Sequence, residues 1–168
     1  MLKAIGAMSR GTAVILMSLM IAGGVVGGNR NALSRAREPV STRISQMGDR
    51  LDGMVAKANN YTALANAQGE DISEVARAQA AATEAAGQRA SAEEIYTAAN
   101  QLHQAVMDLN DRLDSPDKAK VYDDWMQSRV NYKDADSYNS AVEGLNKVYR
   151  AVPFRWLWGG YNYQPVSY

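Results

Sequence analysis

The chain has 168 residues, room for one domain of ordinary size. Lys plus Arg and Asp plus Glu both total 18, so the net charge is zero, which argues against a nucleic-acid partner, since such binders carry a basic face. Cysteine is absent and His103 is the only histidine, which excludes disulfides, thiolate metal sites, a cysteine nucleophile, a lipoprotein anchor and multi-histidine metal sites.

A short flank, residues 1–10, holds Lys3 and Arg10. Residues 11–29 (GTAVILMSLMIAGGVVGGN) then carry no charge. As a helix they cover about 28 Å, close to a bilayer core of about 30 Å, and predict an N-terminal transmembrane anchor. The alternative is a secretory signal peptide, with Lys3 and Arg10 as its basic region and cleavage near Ala22-Gly23-Gly24. Helical patterning resumes directly afterwards, which favours an uncleaved anchor. Gly23 with Gly27 and Gly24 with Gly28 form overlapping GxxxG patterns, and Ser18 and Ala22 extend the ridge. Such a ridge predicts self-association of the anchor; the alternative is a glycine hinge.

Charge is unevenly spread. Residues 1–57 hold eight basic and three acidic side chains, a net +5, and the remainder carries −5. Arg30, Arg35 and Arg37 follow the apolar run and are candidates for contact with anionic lipid headgroups. The basic excess on that flank leans towards a single pass with the body lying in the cytoplasm.

The body, residues 30–152, reads as helix. Leu33, Val40, Met47, Met54 and Tyr61 recur every seven residues, and Ile44, Leu51, Ala58 and Ala65 interleave with them in a coiled-coil spacing that ends at Gly69. Asp71 to Glu74 and Ser91 to Glu94 both have the form of a capping box. The seam continues at Ile95, Leu102 and Leu109 with Ala99, Val106 and Leu113. Ser115-Pro116 opens a last helix carrying Trp125, Tyr132, Ala135, Tyr138, Val142, Leu145, Tyr149 and Val152. The expected fold is all-α: after the anchor, an elongated antiparallel bundle of three long helices over 33–67, 72–113 and 116–152, or of four if the chain turns at residues 87–91.

Residues 153–168 form an aromatic C-terminal tail. Phe154, Trp156, Trp158, Tyr161 and Tyr163 are its candidate contact residues, and Tyr168 is its sixth ring. Three uses fit: packing on the bundle, contact with another subunit, or a place in the membrane interface.

Candidate chemistry is sparse. His103 has Ala99, Asn100, Val106 and Met107 at helical spacing, not the carboxylates of a di-iron bundle, and reads as a helix-flank residue. Asp108, Asp111, Asp114 and Asp117 lack the glycine-centred spacing of a calcium loop and read as a solvated helix end. No phosphate-binding, nucleophile-elbow or dinucleotide motif occurs. The expectation is a protein with no catalytic residue, no cofactor and no metal.

The C-terminal third contains Tyr138-Asn139-Ser140-Ala141-Val142, Asn146, Val152-Pro153 and Trp158-Gly159-Gly160-Tyr161 ahead of Pro165. Upstream lie Asp49, Met54-Val55, Tyr61 and Glu74-Val75 with Arg77-Ala78. In these motifs the chain resembles the LemA family of bacterial membrane proteins. It departs where that family has paired arginines, at Gln46-Met47 and Ala135-Asp136. The resemblance implies an N-terminal helix in the bacterial inner (cytoplasmic) membrane, a helical bundle on the cytoplasmic rather than the periplasmic side and no established enzymatic activity. Together these readings predict a membrane-anchored scaffold that contacts lipid, forms a homo-oligomer and organises other membrane proteins or shapes the membrane. The alternative is an exported, signal-cleaved binding protein.

Overall fold

The computed structural model describes residues 10–87, 90–152 and 163–168, with helix side chains described from Val14 onward. Among these residues the secondary structure is entirely helical: α1 (Arg10–Gln68), α2 (Ser73–Gly87), α3 (Ala92–Arg112), α4 (Lys118–Ser128) and α5 (Tyr132–Ala151).

Helix α1 runs for 59 residues, about 88 Å, with no break between the apolar segment and the first bundle helix. Sequence patterning separates these two pieces, but residues 29–38 contain no breaker and are rich in Ala, Leu and Arg, which favour helix. Pro39 lies inside α1; beside it Ser41 Oγ donates to the Glu38 carbonyl (3.0 Å). The seven-residue seam is the buried stripe: Leu33, Val40, Met47, Leu51, Met54, Ala58, Tyr61 and Ala65 are all within 3% of full burial. Ile44 is only half-buried.

Gly69 ends α1 in the left-handed region (φ 75°). The Glu70 N–H donates to the Ala65 carbonyl (3.0 Å) and the Gly69 N–H to that of Asn66 (3.2 Å), a reciprocal pair that satisfies the last carbonyls of the helix. Asp71 then accepts the Ser73 N–H (2.9 Å) at the start of α2.

The bundle has four rods rather than three, with α4 and α5, which follow one another along α1, counted as one. The expected single helix over 72–113 is divided between α2 and α3 because the Ser91–Glu94 capping box starts a new helix: Glu94 N–H donates to Ser91 Oγ and Ser91 N–H to Glu94 Oε2 (2.7 Å). The expected single helix over 116–152 is likewise divided. Asn131 Oδ1 accepts the Lys133 N–H (2.9 Å) and Asp134 Oδ2 accepts the Asn131 N–H (2.9 Å), which caps α5 and ends α4 at Ser128. The N-cap of α4 is Asp117, not Ser115, so Pro116 lies before the helix.

Cross-links between rods fix their directions. Arg50 meets Asp134 (3.4 Å) and Lys57 meets Asp124 (2.5 Å), so α4 and α5 run antiparallel to α1. Gln79 donates to the Val55 carbonyl (3.2 Å), and Gln68 donates to the Asp114 carbonyl (2.7 Å). Hence α2 descends against α1 and α3 runs alongside it. The end of α5 therefore points back towards the apolar start of α1.

Candidate functional site: the exposed apolar helix and the tail seat

Residues 14–28 of α1 are exposed on all sides. Val14, Ile15, Met17, Leu19, Met20 and Ile21 are 62–70% exposed, and at 100° per residue they encircle the helix. Burying each such side chain is worth about 1.5–3 kcal/mol. Ser18 and Ala22 are exposed too, and beyond the helix's own neighbouring backbone nothing lies within 4 Å of where a Cβ would sit on Gly23, Gly24, Gly27 or Gly28. The small-residue ridge is thus an uncovered face of one copy. Among the described residues no helix is long and apolar enough to cross a membrane. Eighteen described residues counted from Val14 take in Asn29, Arg30 and Asn31, whereas the side chains of residues 11–13, which belong to the uncharged run, lie outside the described ones. The transmembrane helix expected over 11–29 is therefore not established by the described part of α1, whose side chains begin three residues inside the uncharged run.

Arg30 and Arg35 are exposed at the foot of this helix and Arg37 is half-buried. Arg43 is held by Gln46 (2.8 Å) and Arg50 by Asp134, so these two are engaged within the protein.

Phe154, Trp156, Trp158 and Tyr161 lie outside the described residues. Tyr163 is described, half-buried and packed against the core, and the chain beyond it is seated on the bundle. Residues 163–168 lie in a cleft between α5 and the start of α3. Tyr138 O–H donates to the Gln164 carbonyl (3.1 Å). The Asn139 amide makes a two-pronged contact, donating to the Val166 carbonyl (3.0 Å) and accepting its N–H (2.8 Å). Val166 is buried. The Ser167 N–H donates to Glu93 (3.3 Å), Tyr168 O–H donates to Asp136, and the Tyr168 ring meets Tyr96 edge-on at 6.3 Å. Burial, with Tyr163 and Glu93 adding to it, pushes the Tyr138 hydroxyl above its ordinary pKa. Sequence reasoning missed Asn139 as a tail holder, because it lies 27 residues from its partner and no local spacing marks it.

His103 is a half-buried flank residue of α3, beside buried Leu102, and it is engaged with α4. Its ring lies edge to edge with that of fully buried Trp125, nearly parallel to it (planes 9° apart, centroids 6.2 Å), and its Nδ1 accepts the indole N–H at 3.1 Å. Burial, with the Arg129 guanidinium adding to it, pushes its pKa down from 6.5 to about 4. Folded His103 is therefore neutral near pH 7, and a protonated Nδ1 cannot accept the indole proton. Because the folded pKa lies below the unfolded one, stability is full above about pH 6.5 and falls as pH drops towards 4. Between pH 7.5 and 5.5 the protein should lose about 1 kcal/mol through this group. That interval lies above the range in which Asp71 and Glu94 titrate, since hydrogen bonds from Ser73 and Ser91 hold them low. Thermal melts of wild type and His103→Gln at the two pH values check this: the variant should show the smaller drop, and equal drops would contradict it.

Tyr61 packs edge-on against Trp125 (6.0 Å, 82°), and its buried hydroxyl has no hydrogen-bond partner among the described residues. Burial, reinforced by Tyr122, pushes its pKa to about 12. An orphaned buried hydroxyl costs roughly 1–3 kcal/mol, so Tyr61→Phe is expected to leave the melting temperature unchanged or raise it by a few degrees. A clear fall in a thermal melt would show that the hydroxyl has a partner.

Asp108, Asp111, Asp114 and Asp117 are all exposed, and among the described residues no group of acidic side chains or histidine could hold a metal ion. No protein-family model matches the sequence, and no curated protein or solved structure is significantly similar to it.

Proposed function

We propose that this protein is a non-enzymatic, membrane-anchored helical scaffold of LemA-like character. It inserts the start of α1 into a lipid bilayer and presents the four-rod bundle beside it to organise a membrane complex or shape the membrane. The observation that carries the reading is the helix over residues 14–28, apolar on every side and uncovered. Nine large apolar side chains of this helix are exposed in one copy. At about 1.5 kcal/mol or more apiece, their transfer into lipid exceeds 10 kcal/mol, comparable with the stability of a whole domain. With residues 11–13 the uncharged run reaches about 28 Å, and Arg30, Arg35 and Arg37 then meet the headgroup layer.

The basic excess that follows the apolar run supports a bundle on the cytoplasmic side, and the LemA resemblance supports a bacterial inner membrane. The ridge of Ser18, Ala22, Gly23, Gly24, Gly27 and Gly28 supports close approach of a second copy, hence a homo-oligomer, and leaves a face for other membrane proteins. The continuity of α1 through Ala22-Gly23-Gly24 supports an uncleaved anchor over export.

Alkaline carbonate extraction of membranes from producing cells tests the proposal. The full chain should stay in the pellet, and a chain lacking residues 1–28 should appear in the supernatant. A full chain that is released by carbonate would overturn the membrane reading. A purified protein whose N-terminus is Val25 would establish the exported alternative.

A further inference from the structure

We propose that the alanine-floored groove between α2 and α3 is the docking site for a positively charged amphipathic helix of another protein. Ala78, Ala81 and Ala85 share one face of α2 at spacings of three and four, and Ala98 and Ala105 of α3 stand opposite them. These side chains floor two adjoining hollows of about 410 and 400 Å³. Ala81 and Gln101 line both, so the two hollows form one continuous groove, and Ala81 is exposed at its centre. Helices pack with their axes about 8–10 Å apart, and the near value needs small side chains at the contact. Alanine on both walls meets that condition, so an added helix seats between α2 and α3 with its own larger apolar side chains filling the hollows.

The rim selects the charge of the occupant. Glu84, Glu93 and Glu94 surround one end of the groove, and Glu74 and Asp108 flank the other, where Arg77 offsets part of their charge. Five carboxylates against one guanidinium leave a net charge of −4. Glu94 is fixed by the Ser91 N–H (2.7 Å) and Glu93 accepts that of Ser167 (3.3 Å), so the three-glutamate end is preorganised for cations. From Glu93 to Asp108 α3 rises about 22 Å, the length of a helix of about 15 residues. The groove therefore fits a helix of about four turns with an apolar stripe and Lys or Arg at both ends, the larger share at the three-glutamate end.

A second copy does not supply that helix. Two such grooves brought face to face repel each other. The basic section of a neighbour's α1 lies too low: Gln79 donates to the Val55 carbonyl, 18 residues and about 27 Å above Arg37, and copies anchored in one bilayer are held at a common level. The inference rests on the membrane-scaffold reading for this exclusion, and it gives the scaffold the chemistry of its partner.

Because the chain has no cysteine, one placed at Thr97, exposed on the groove wall, reports occupancy directly. The probe is a synthetic helix of the length derived above, with a leucine stripe, lysines at both ends and a chloroacetyl group at its centre. In neutral detergent it should alkylate Thr97→Cys in the full chain about tenfold faster than Ser41→Cys, an exposed position on α1, once both rates are scaled to those of chloroacetamide. Adding Ala81→Arg, or Glu84→Lys with Asp108→Lys, should remove that advantage. Asp49→Lys with Asp52→Lys, the same charge change at exposed positions of α1, should keep it. Equal rates at the two cysteines would overturn the proposal, as would a glutamate version or a stripe-less scramble of the peptide that reacts as fast as the lysine one. A smaller particle for the Glu84→Lys, Asp108→Lys chain would make a second copy the occupant and overturn it too. Carbonate extraction reports on the anchor separately, so a failed groove and a failed membrane reading are distinguishable.

Discussion

Leu51→Asp is expected to abolish cooperative unfolding, whereas Arg77→Ala should leave the melting temperature within a degree or two of wild type. Leu51 is fully buried midway along the α1 seam, between Met47 and Met54, which are also inaccessible. An aspartate there loses the apolar contribution of leucine and must either desolvate a charge or take up a proton without a hydrogen-bond partner. Together these cost several kcal/mol, against a total stability of roughly 5–15 kcal/mol. Arg77 is exposed on α2, and surface substitutions of this kind change stability by about 0.5 kcal/mol or less. Circular-dichroism melts of both variants in the same detergent decide the matter. Equal melting temperatures would mean that the seam of α1 does not face the core.

Trp125→Ala is the second large effect, and it should be local as well as global. Trp125 is the one fully buried side chain of α4, a helix of only 11 residues. It lies between Tyr61 of α1 and His103 of α3, so its indole ties α4 to two rods at once. Truncating a buried tryptophan costs about 3–5 kcal/mol, and here it also leaves the His103 Nδ1 acceptor without its donor. Amide hydrogen exchange should show α4 losing most of its protection while α1, α2 and α3 keep theirs. Retained protection across 118–128 would show that α4 is held by its surface pairs, such as Lys57 with Asp124, rather than by the indole.

The core stripe was legible in sequence because helical burial repeats every three to four residues. Eight of the nine predicted α1 seam positions are buried, and so are Ile95, Ala99, Leu102, Val106 and Leu109 of α3 and Leu113 at its C-cap. What periodicity does not reveal is a reset of phase. Trp125 and Tyr132 are seven apart and would share a face in one continuous helix. Trp125 is inaccessible and Tyr132 is 56% exposed, because the Asn131–Asp134 cap starts α5 at a new rotation. The Ser91–Glu94 box marks a helix start in the sequence, but the apolar pattern over 72–113 does not say that the chain reverses there. The sites were less legible than the fold. The Trp125–His103 pair is separated by 22 residues and the Asn139–Val166 pair by 27, and each exists only once the rods are packed. The exposed apolar helix, by contrast, is a property of consecutive residues and was apparent from composition alone.

The absence of cysteine also permits the most direct test of the membrane reading. Single cysteines are placed at Met20, in the exposed apolar helix, and at Ser41, an exposed position in the bundle section of α1. The full chain is then reconstituted into sealed vesicles, and molecules with the bundle facing outward are treated with a membrane-impermeant maleimide. Ser41→Cys should label within minutes, while Met20→Cys stays unlabelled until detergent dissolves the bilayer. Equal labelling of the two cysteines in intact vesicles would place the apolar helix in water and contradict the membrane-anchored account.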